Sequence, residues 1–310
     1  MVRNNRKVGN MTDLAKSKRL SKYLEEFTRH CKFKGFSDET ILYYFKRIFF
    51  FLEDCQKINV FEIEKNDIIN WTLKLRERNV KESYIINSLW AIKSFYNFLK
   101  DGAKLEINNW FENLKIPERK ANECIDFLEN NEVKRFIETV RPLENICKLR
   151  LRAYFELLLN TGVRPSEGLN LNRNDIKEDE TEITGKGKKK RKIYFNDRCL
   201  CWLNRYLVRR QDNCSALFIR HHHFFEPDRW KLRRAEEAFR NHWLKTGIKK
   251  EITLHDIRHT YSTNLFSNGC QLEYVQRLLG HSKIETTKRY YVAFMQKDIK
   301  KAHFKYLNYD

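Results

Sequence analysis

Four short stretches of the chain concentrate side chains able to handle a phosphate. The first is Thr253-Leu254-His255-Asp256-Ile257-Arg258-His259-Thr260. Thr253 followed three residues later by Asp256 has the form of a capping box, so a helix is expected to begin at Leu254. His255 and Arg258 then stand at i and i+3 on one face of its first turns. An imidazole and a guanidinium side by side near a helix N-terminus make a site for one phosphate, although the same pattern also suits a solvated polar face. The second stretch is Asn160-Thr161-Gly162-Val163-Arg164-Pro165-Ser166-Glu167. Thr-Gly closes one helix and Pro165 suits the first position of the next, which fixes Arg164 at a helix start. Glu167, one turn on, can brace that guanidinium or hold a neighbouring donor. In the third stretch, residues 185–192, six of eight side chains are basic. Such a run also resembles a nuclear-import signal or a plain DNA-contact patch. Strand-like patterns at 181–184 and 192–195 argue instead for a hairpin, where one lysine is aimed into a site and others meet backbone phosphates. The fourth stretch runs from Leu278 through a Gly280-His281 turn and two threonines to Lys288, Arg289 and a doubled tyrosine, Tyr290-Tyr291.

The elements that must hold these residues follow from apolar spacing. Residues 14–101 form four blocks with a three-to-four-residue period: 14–30; 37–52, with Ser37 as a helix cap; 66–75; and 83–101, stopping at Gly102. They predict an all-helical bundle. Residues 114–122 lose the period, carry Pro117 and four charges, and suit a linker. Beyond it, helices are expected from about Asn131, from 143 to 160, from 199 to 211, from 232 to 245, from 254 to 267, from 272 to 279, near Thr286 and from 296 to 307. A third short strand is expected at 216–219. The fold class is therefore mainly α with a small antiparallel β-sheet in an α+β second domain.

Charge and composition narrow the partner. Lys and Arg number 61 against 41 Asp and Glu, a net charge of +20. Residues 1–120 carry 24 basic and 16 acidic side chains and residues 121–310 carry 37 and 25, so both halves are basic. A polyanion held between two domains fits this balance better than a single basic tail, the bland alternative being a lysine-rich, solvated surface. Residues 1–19 lack the apolar core of a signal peptide, and no stretch is long enough to span a bilayer. Eight cysteines then read as reduced thiols of a cytosolic protein. Cys199, Cys201 and Cys214 with His221, His222 and His223 can be drawn as a zinc site, but their spacing matches no familiar metal module. No phosphate-binding glycine loop or dinucleotide fingerprint occurs.

Taken together, the four stretches resemble the tyrosine recombinase, or phage-type integrase, family, and within it the short Xer-like members. The matching segments are TGVRPSEGLNL, TGKGKKKRK, LHDIRHTYSTNL and LLGHSKIETTKRYYV, in the family's order, and the resemblance extends from residue 14 to about 300. It implies a helical SAM-like core-binding domain over residues 12–113, a linker at 114–124, and a catalytic domain at 125–310 that ends in an exchange helix. It further implies a site-specific recombinase that attacks a DNA phosphodiester with a tyrosine hydroxyl. The product is a 3′-phosphotyrosyl enzyme with a free 5′-hydroxyl, which needs neither ATP, metal nor cofactor to rejoin. By motif position, Arg164 and Arg258 clamp the non-bridging oxygens, and His255 and His281 add hydrogen bonds, His255 also being suited to proton transfer. Lys186 protonates the departing oxygen, Glu167 supports the arginine motif, and Lys188, Lys189, Lys190 and Arg191 contact DNA. The family spacing places the nucleophile nine residues after His281, at Tyr290 rather than Tyr291, with surrounding cations favouring phenolate. His259 falls outside the implied site and is expected to be a packing histidine. Gly168, where the family has an aliphatic residue, and the doubled tyrosine are mild departures.

The implied partner is double-stranded DNA, bound by a homotetramer on paired sites in the cytoplasm near the nucleoid, with no membrane. Readings that compete are a type IB topoisomerase, which relaxes supercoils as a monomer, a DNA-binding regulator with a dead site, and a basic protein with chance motifs. The target site is not encoded in a form that can be read as bases. Resolution of chromosome or plasmid dimers and integration of a mobile element both remain open.

Overall fold

The computed structural model of the protein describes residues 18–57, 60–107, 109–117, 126–141, 144–176, 178–185, 189–221 and 226–292. The chain divides into two compact units, residues 1–122 and 123–310. The first is helical: α1 (Lys18–Phe33), α2 (Asp38–Cys55), α3 (Lys65–Glu77) and α4 (Glu82–Asn97). Ser37 caps α2, its hydroxyl accepting from the Thr40 N–H at 3.3 Å, and Asp38 and Glu39 face the positive end of the helix dipole. Gly102 does not simply stop α4. The helix runs on through one wide turn, Phe98–Gly102, in which the Ala103 N–H donates to the Phe98 carbonyl at 2.9 Å. A Cβ at Gly102 would lie 2.7 Å from the Phe98 ring, so only glycine lets this turn close. Phe27, Phe51, Trp71 and Phe95 fill the core with edge-to-face contacts, and the buried Tyr96 hydroxyl donates to the Val60 carbonyl at 3.0 Å.

The second unit holds the four motif stretches. It is built from α5 (Asn130–Thr139), α6 (Ile146–Thr161), α7 (Pro165–Asn170), α8 (Asp197–Val208), α9 (Leu232–Lys245), α10 (Leu254–Ser267) and α11 (Leu272–Leu279), with residues 284–292 also helical. The helices expected from residues 232, 254 and 272 begin at those residues. The β structure differs from expectation, since there are two small antiparallel sheets. Strands β1 (Glu180–Thr184) and β2 (Lys190–Tyr194) form the expected hairpin, while β3 (Ile219–Arg220) pairs with β4 (Asp228–Arg229). Ala216, expected within a strand, makes only an isolated bridge to Asn172. Among the described residues, no helix is long and apolar enough to cross a membrane.

The central element is α6, buried on almost every face through Leu149, Leu151, Ala153, Tyr154, Phe155, Leu157 and Leu158. Three charged residues within it find partners inside the helix or on neighbouring elements. Arg150 donates to the Ile219 carbonyl at 2.6 Å and lies 3.8 Å over the Trp230 ring, and Glu156 accepts from Arg152 and Arg198. An acid with no exposed surface is tolerable there because two guanidiniums replace its lost hydration. The same helix sets the position of the arginine motif, because the buried Tyr154 hydroxyl donates to the Pro165 carbonyl at 2.8 Å. Gly168 explains its own departure from an aliphatic side chain. A Cβ there would already meet Val163 at 3.2 Å and Leu157 at 3.3 Å, so α7 lies too close to α6 for more.

Candidate active site

Arg258 organises the site. The capping box of α10 forms as expected, with Asp256 accepting from the Thr253 N–H at 2.7 Å, and it starts the helix so that Arg258 points inward. The side chain is 2% exposed. Its Nη1 donates to the Gly162 carbonyl at 2.7 Å, and its Nη2 donates to the Leu279 carbonyl at 2.5 Å and to His281 Nε2 at 3.1 Å. Three separate motif stretches thus meet on one guanidinium. Gly162 must be glycine for this: it caps α6 with φ at +60°, and a Cβ would fall 2.3 Å from the Tyr261 ring. Burial, and then Arg164 and Arg191, push Arg258 down to about 9, which still leaves it cationic at neutral pH.

His281 is fixed from both ring nitrogens. Guanidinium has donors only, so Nε2 accepts from Arg258 and the proton resides on Nδ1, which donates to the buried Thr287 hydroxyl at 2.8 Å. Burial, followed by Arg258, Arg164 and Arg191, lowers His281 to about 3, in keeping with a neutral ring. The turn carrying it is closed by α11's cap, Gly280, at φ +65°.

Arg164 precedes Pro165 and initiates α7. Its Nη1 donates to Glu167 Oε1 at 2.8 Å, and its backbone N–H donates to Oε2 at 3.0 Å. Glu167 has a second guanidinium partner, Arg191, whose Nη2 donates to Oε2 at 2.7 Å and Nη1 to Oε1 at 3.2 Å. Arg191 was expected to meet DNA with its lysine neighbours. Instead its side chain, 10% exposed, turns inward from β2 onto Glu167 and against Gly280, where a Cβ would sit 2.6 Å from its Cδ. The alternation of β2 explains this, because Arg191 points to the opposite face from its exposed neighbours Lys190 and Lys192. Burial alone would raise Glu167. The Arg191 bonds and then those from Arg164 more than offset that and take its carboxyl down to about 2.

Tyr290 lies on the 284–292 helix, with its ring 5.8 Å from that of His281 and 4.8 Å from that of His259. Burial raises its hydroxyl, and Arg258, Arg164 and Arg289 only partly oppose this. The surrounding cations do favour phenolate, as expected, but the cost of desolvation outweighs them. Tyr291 goes elsewhere, edge-on to Phe266 at 5.2 Å. His255 is exposed, and its ring meets His259 at 5.1 Å. Crowding of the ring against the protein, then His259, Arg258 and Arg164, lower its pKa, so it is uncharged at neutral pH.

Of the expected site residues, the structure brings Arg164, Glu167, His255, Arg258, His281 and Tyr290 to one place. Lys186 and Lys188 lie outside the described residues, as does the helix expected over 296–307. Lys189 and Lys190 are exposed at the base of the hairpin, where Gly185 N–H donates to the Lys189 carbonyl at 2.8 Å. Lys190 is ion-paired with Glu182 across the strands at 2.7 Å. His259 was expected to be a packing histidine apart from the site. Its ring in fact lies closer to that of Tyr290 than the His281 ring does, and its Nδ1 lies 3.1 Å from Asp256 Oδ1. Thr287 was also missed, although its place between His281 and Tyr290 was visible. Cys199 is buried and pushed up to about 12 by that burial, Cys201 is exposed, and His221 bonds the Tyr206 hydroxyl at 3.0 Å. Among the described residues no group of three or more His, Cys, Asp or Glu side chains is placed to hold a metal ion.

Comparison with known proteins identifies the family. Residues 126–297 match the phage integrase family, and residues 23–103 match its N-terminal SAM-like domain. The chain is 29% identical over 272 residues to tyrosine recombinase XerD of Oceanobacillus iheyensis, covering 83% of this chain and 88% of that one. It is 30% identical over 273 residues to tyrosine recombinase XerA of Pyrococcus furiosus, covering 87% and 89%. In fold it is similar to a lambda integrase tetramer bound to a Holliday junction, with a TM-score of 0.69 at 14% identity over 89% of this chain and 83% of that one. The chain belongs to the phage integrase family and is an Xer-like tyrosine site-specific recombinase.

The Glu167 cluster makes a stability prediction. The carboxyl sits near 2 in the fold against an ordinary value of 4.5, so the stabilisation is complete above about pH 4.5 and is lost as pH falls toward 2. Glu167→Gln removes this part of the acid sensitivity and costs on the order of 3 kcal/mol at neutral pH, because two guanidiniums lose their buried counter-charge. Urea unfolding followed across pH checks both.

Proposed function

We propose that Tyr290 is the nucleophile of this recombinase and that Arg164 and Arg258 receive the charge that develops on the scissile phosphate. The observation that carries the assignment is the position of Tyr290. Its ring lies beside His259 and His281 and feels Arg258 and Arg164, while Tyr291 packs on Phe266. Attack of the phenol oxygen on phosphorus puts extra negative charge on the non-bridging oxygens, and fixed donors aimed at them lower the barrier. Arg258 spends three N–H donors on protein acceptors, which holds the fork rigid and leaves others for the phosphate. Arg164, half-buried and held by Glu167, supplies the second guanidinium. His281 and His255 are polar partners of the same oxygens. Lys186 is the acid that protonates the leaving 5′-oxygen. The resulting 3′-phosphotyrosyl ester conserves the bond energy, so rejoining to another 5′-hydroxyl needs no ATP and no metal.

The substrate is double-stranded DNA, engaged by residues 12–113 and 125–310 joined by the linker at 114–124. Lys188, Lys189 and Lys190 meet backbone phosphates. Four copies act on two paired sites, a reading favoured by the tetramer of the related lambda integrase on a Holliday junction. The protein works in the cytoplasm at the nucleoid, in dimer resolution or mobile-element integration.

A nicked duplex library with a randomised centre will trap wild-type protein as a covalent adduct, and sequencing the trapped DNA reads the site. Tyr290→Phe abolishes the adduct and Tyr291→Phe keeps it; the reverse pattern moves the nucleophile to Tyr291, and no wild-type adduct defeats the mechanism. On a plasmid carrying two recovered sites the expected product is exchange between them, whereas relaxation alone would indicate a topoisomerase. Salt titration of duplex binding separates the basic residues. Lys189→Ala reduces the slope of log affinity against log salt by about one. Arg191→Ala leaves that slope unchanged.

A further inference from the structure

The raised Tyr290 hydroxyl needs a proton acceptor, and the cations around it do not provide one. His259 is placed to do so. Its Nδ1 lies 3.1 Å from Asp256 Oδ1 and 3.2 Å from the Asp126 carbonyl, both of which can only accept, so Nδ1 carries the proton and Nε2 the lone pair. Asp256 is itself held: its Oδ2 accepts from the Thr253 N–H and hydroxyl, each at 2.7 Å, which leaves Oδ1 for the histidine. On the other side the His259 ring meets the Tyr290 ring at 4.8 Å and 41°. A carboxylate beside an imidazole whose ring packs on that of the nucleophilic tyrosine sets out the groups by which a weak nucleophile is activated.

The rival acceptor on the same helix is His255. It touches His259 rather than Tyr290 in ring contact, and among the described residues no carboxylate bonds its ring. His259 combines the carboxylate with the contact to Tyr290.

We propose that Asp256 and His259 form a proton relay for Tyr290, with His259 Nε2 as the base that accepts the phenol proton. This rests on the reading of Tyr290 as nucleophile. In the cleavage step the Tyr290 Oη–H bond breaks and its proton passes to Nε2. The Oη–P bond forms, the P–O5′ bond breaks, and the leaving oxygen takes a proton from the acid, Lys186. The His259 imidazolium is stabilised by Asp256 and returns its proton to Tyr290 when the 5′-hydroxyl attacks the ester.

The test uses the full chain and the nicked duplex recovered by covalent capture, with the rate of adduct formation measured at saturating DNA. His259→Gln is expected to slow the reaction on the order of 100-fold with duplex affinity unchanged. His259→Phe keeps a ring against Tyr290 but has no lone pair, and is expected to be equally slow. Replacing Tyr290 by a trifluorotyrosine, whose hydroxyl ionises near neutral pH, is expected to restore most of the rate in both variants, since a nucleophile that is already ionised needs no base. A purely structural defect at position 259 would not respond to nucleophile acidity. The relay is overturned if His259→Phe cleaves within threefold of wild type, or if the fluorinated nucleophile recovers nothing. A wild-type adduct that survives Tyr290→Phe instead overturns the assignment of the nucleophile, and the relay with it.

Discussion

The site depends on one buried guanidinium. Arg258 is stripped of water and repaid by three acceptors from two distant parts of the chain: the carbonyl at the end of α6, and, from one turn, the carbonyl at the end of α11 and the ring of His281. Because a guanidinium can only donate, it dictates the state of what it touches. His281 must present a lone pair and stay neutral, with its remaining proton directed to Thr287 on the helix that carries Tyr290. A single side chain therefore couples the arginine motif, the glycine-histidine turn and the tyrosine helix, and it does so before any phosphate arrives.

Glu167 plays the complementary part. Without it, Arg164 and Arg191 would repel each other and Arg258 across a half-buried space. With it, Arg164 is anchored at the start of α7 and the β1–β2 hairpin is fastened to the same point. The glycines at 162 and 280 are needed for close approach, to Tyr261 and Arg191 respectively, as well as for their positive φ. The result is a set of donors with little freedom left to lose, which is what stabilising a short-lived charged state requires.

Much of this was legible in the residues. Capping signals placed the starts of α7 and α10 correctly, and four motifs in order picked out arginines, histidines and a tyrosine that the fold brings together. What could not be read was pairing between segments. Whether Arg191 faces DNA or Glu167 depends on which face of β2 it occupies and on how the hairpin meets α7 and α11. His259 stood at i+3 from Asp256 and i+4 from His255, so its contacts on α10 could have been foreseen from helical spacing. Its contact with Tyr290 could not, because it needs the approach of the 284–292 helix. The acidity of Tyr290 was misjudged for a related reason: counting cations in sequence omits the cost of burying the phenol. The extra sheet arose because two-residue strands leave almost no periodic trace.

The central claim, that these side chains are assembled around one phosphorus with Tyr290 in line, is tested most directly by a crystal structure with the cleaved duplex and vanadate. The account predicts vanadium bonded to the Tyr290 Oη and the DNA 5′-oxygen, equatorial oxygens held by Arg164 and Arg258, and Arg258 still on the Gly162 carbonyl. Vanadate bonded to Tyr291, or held without Arg258, would contradict it.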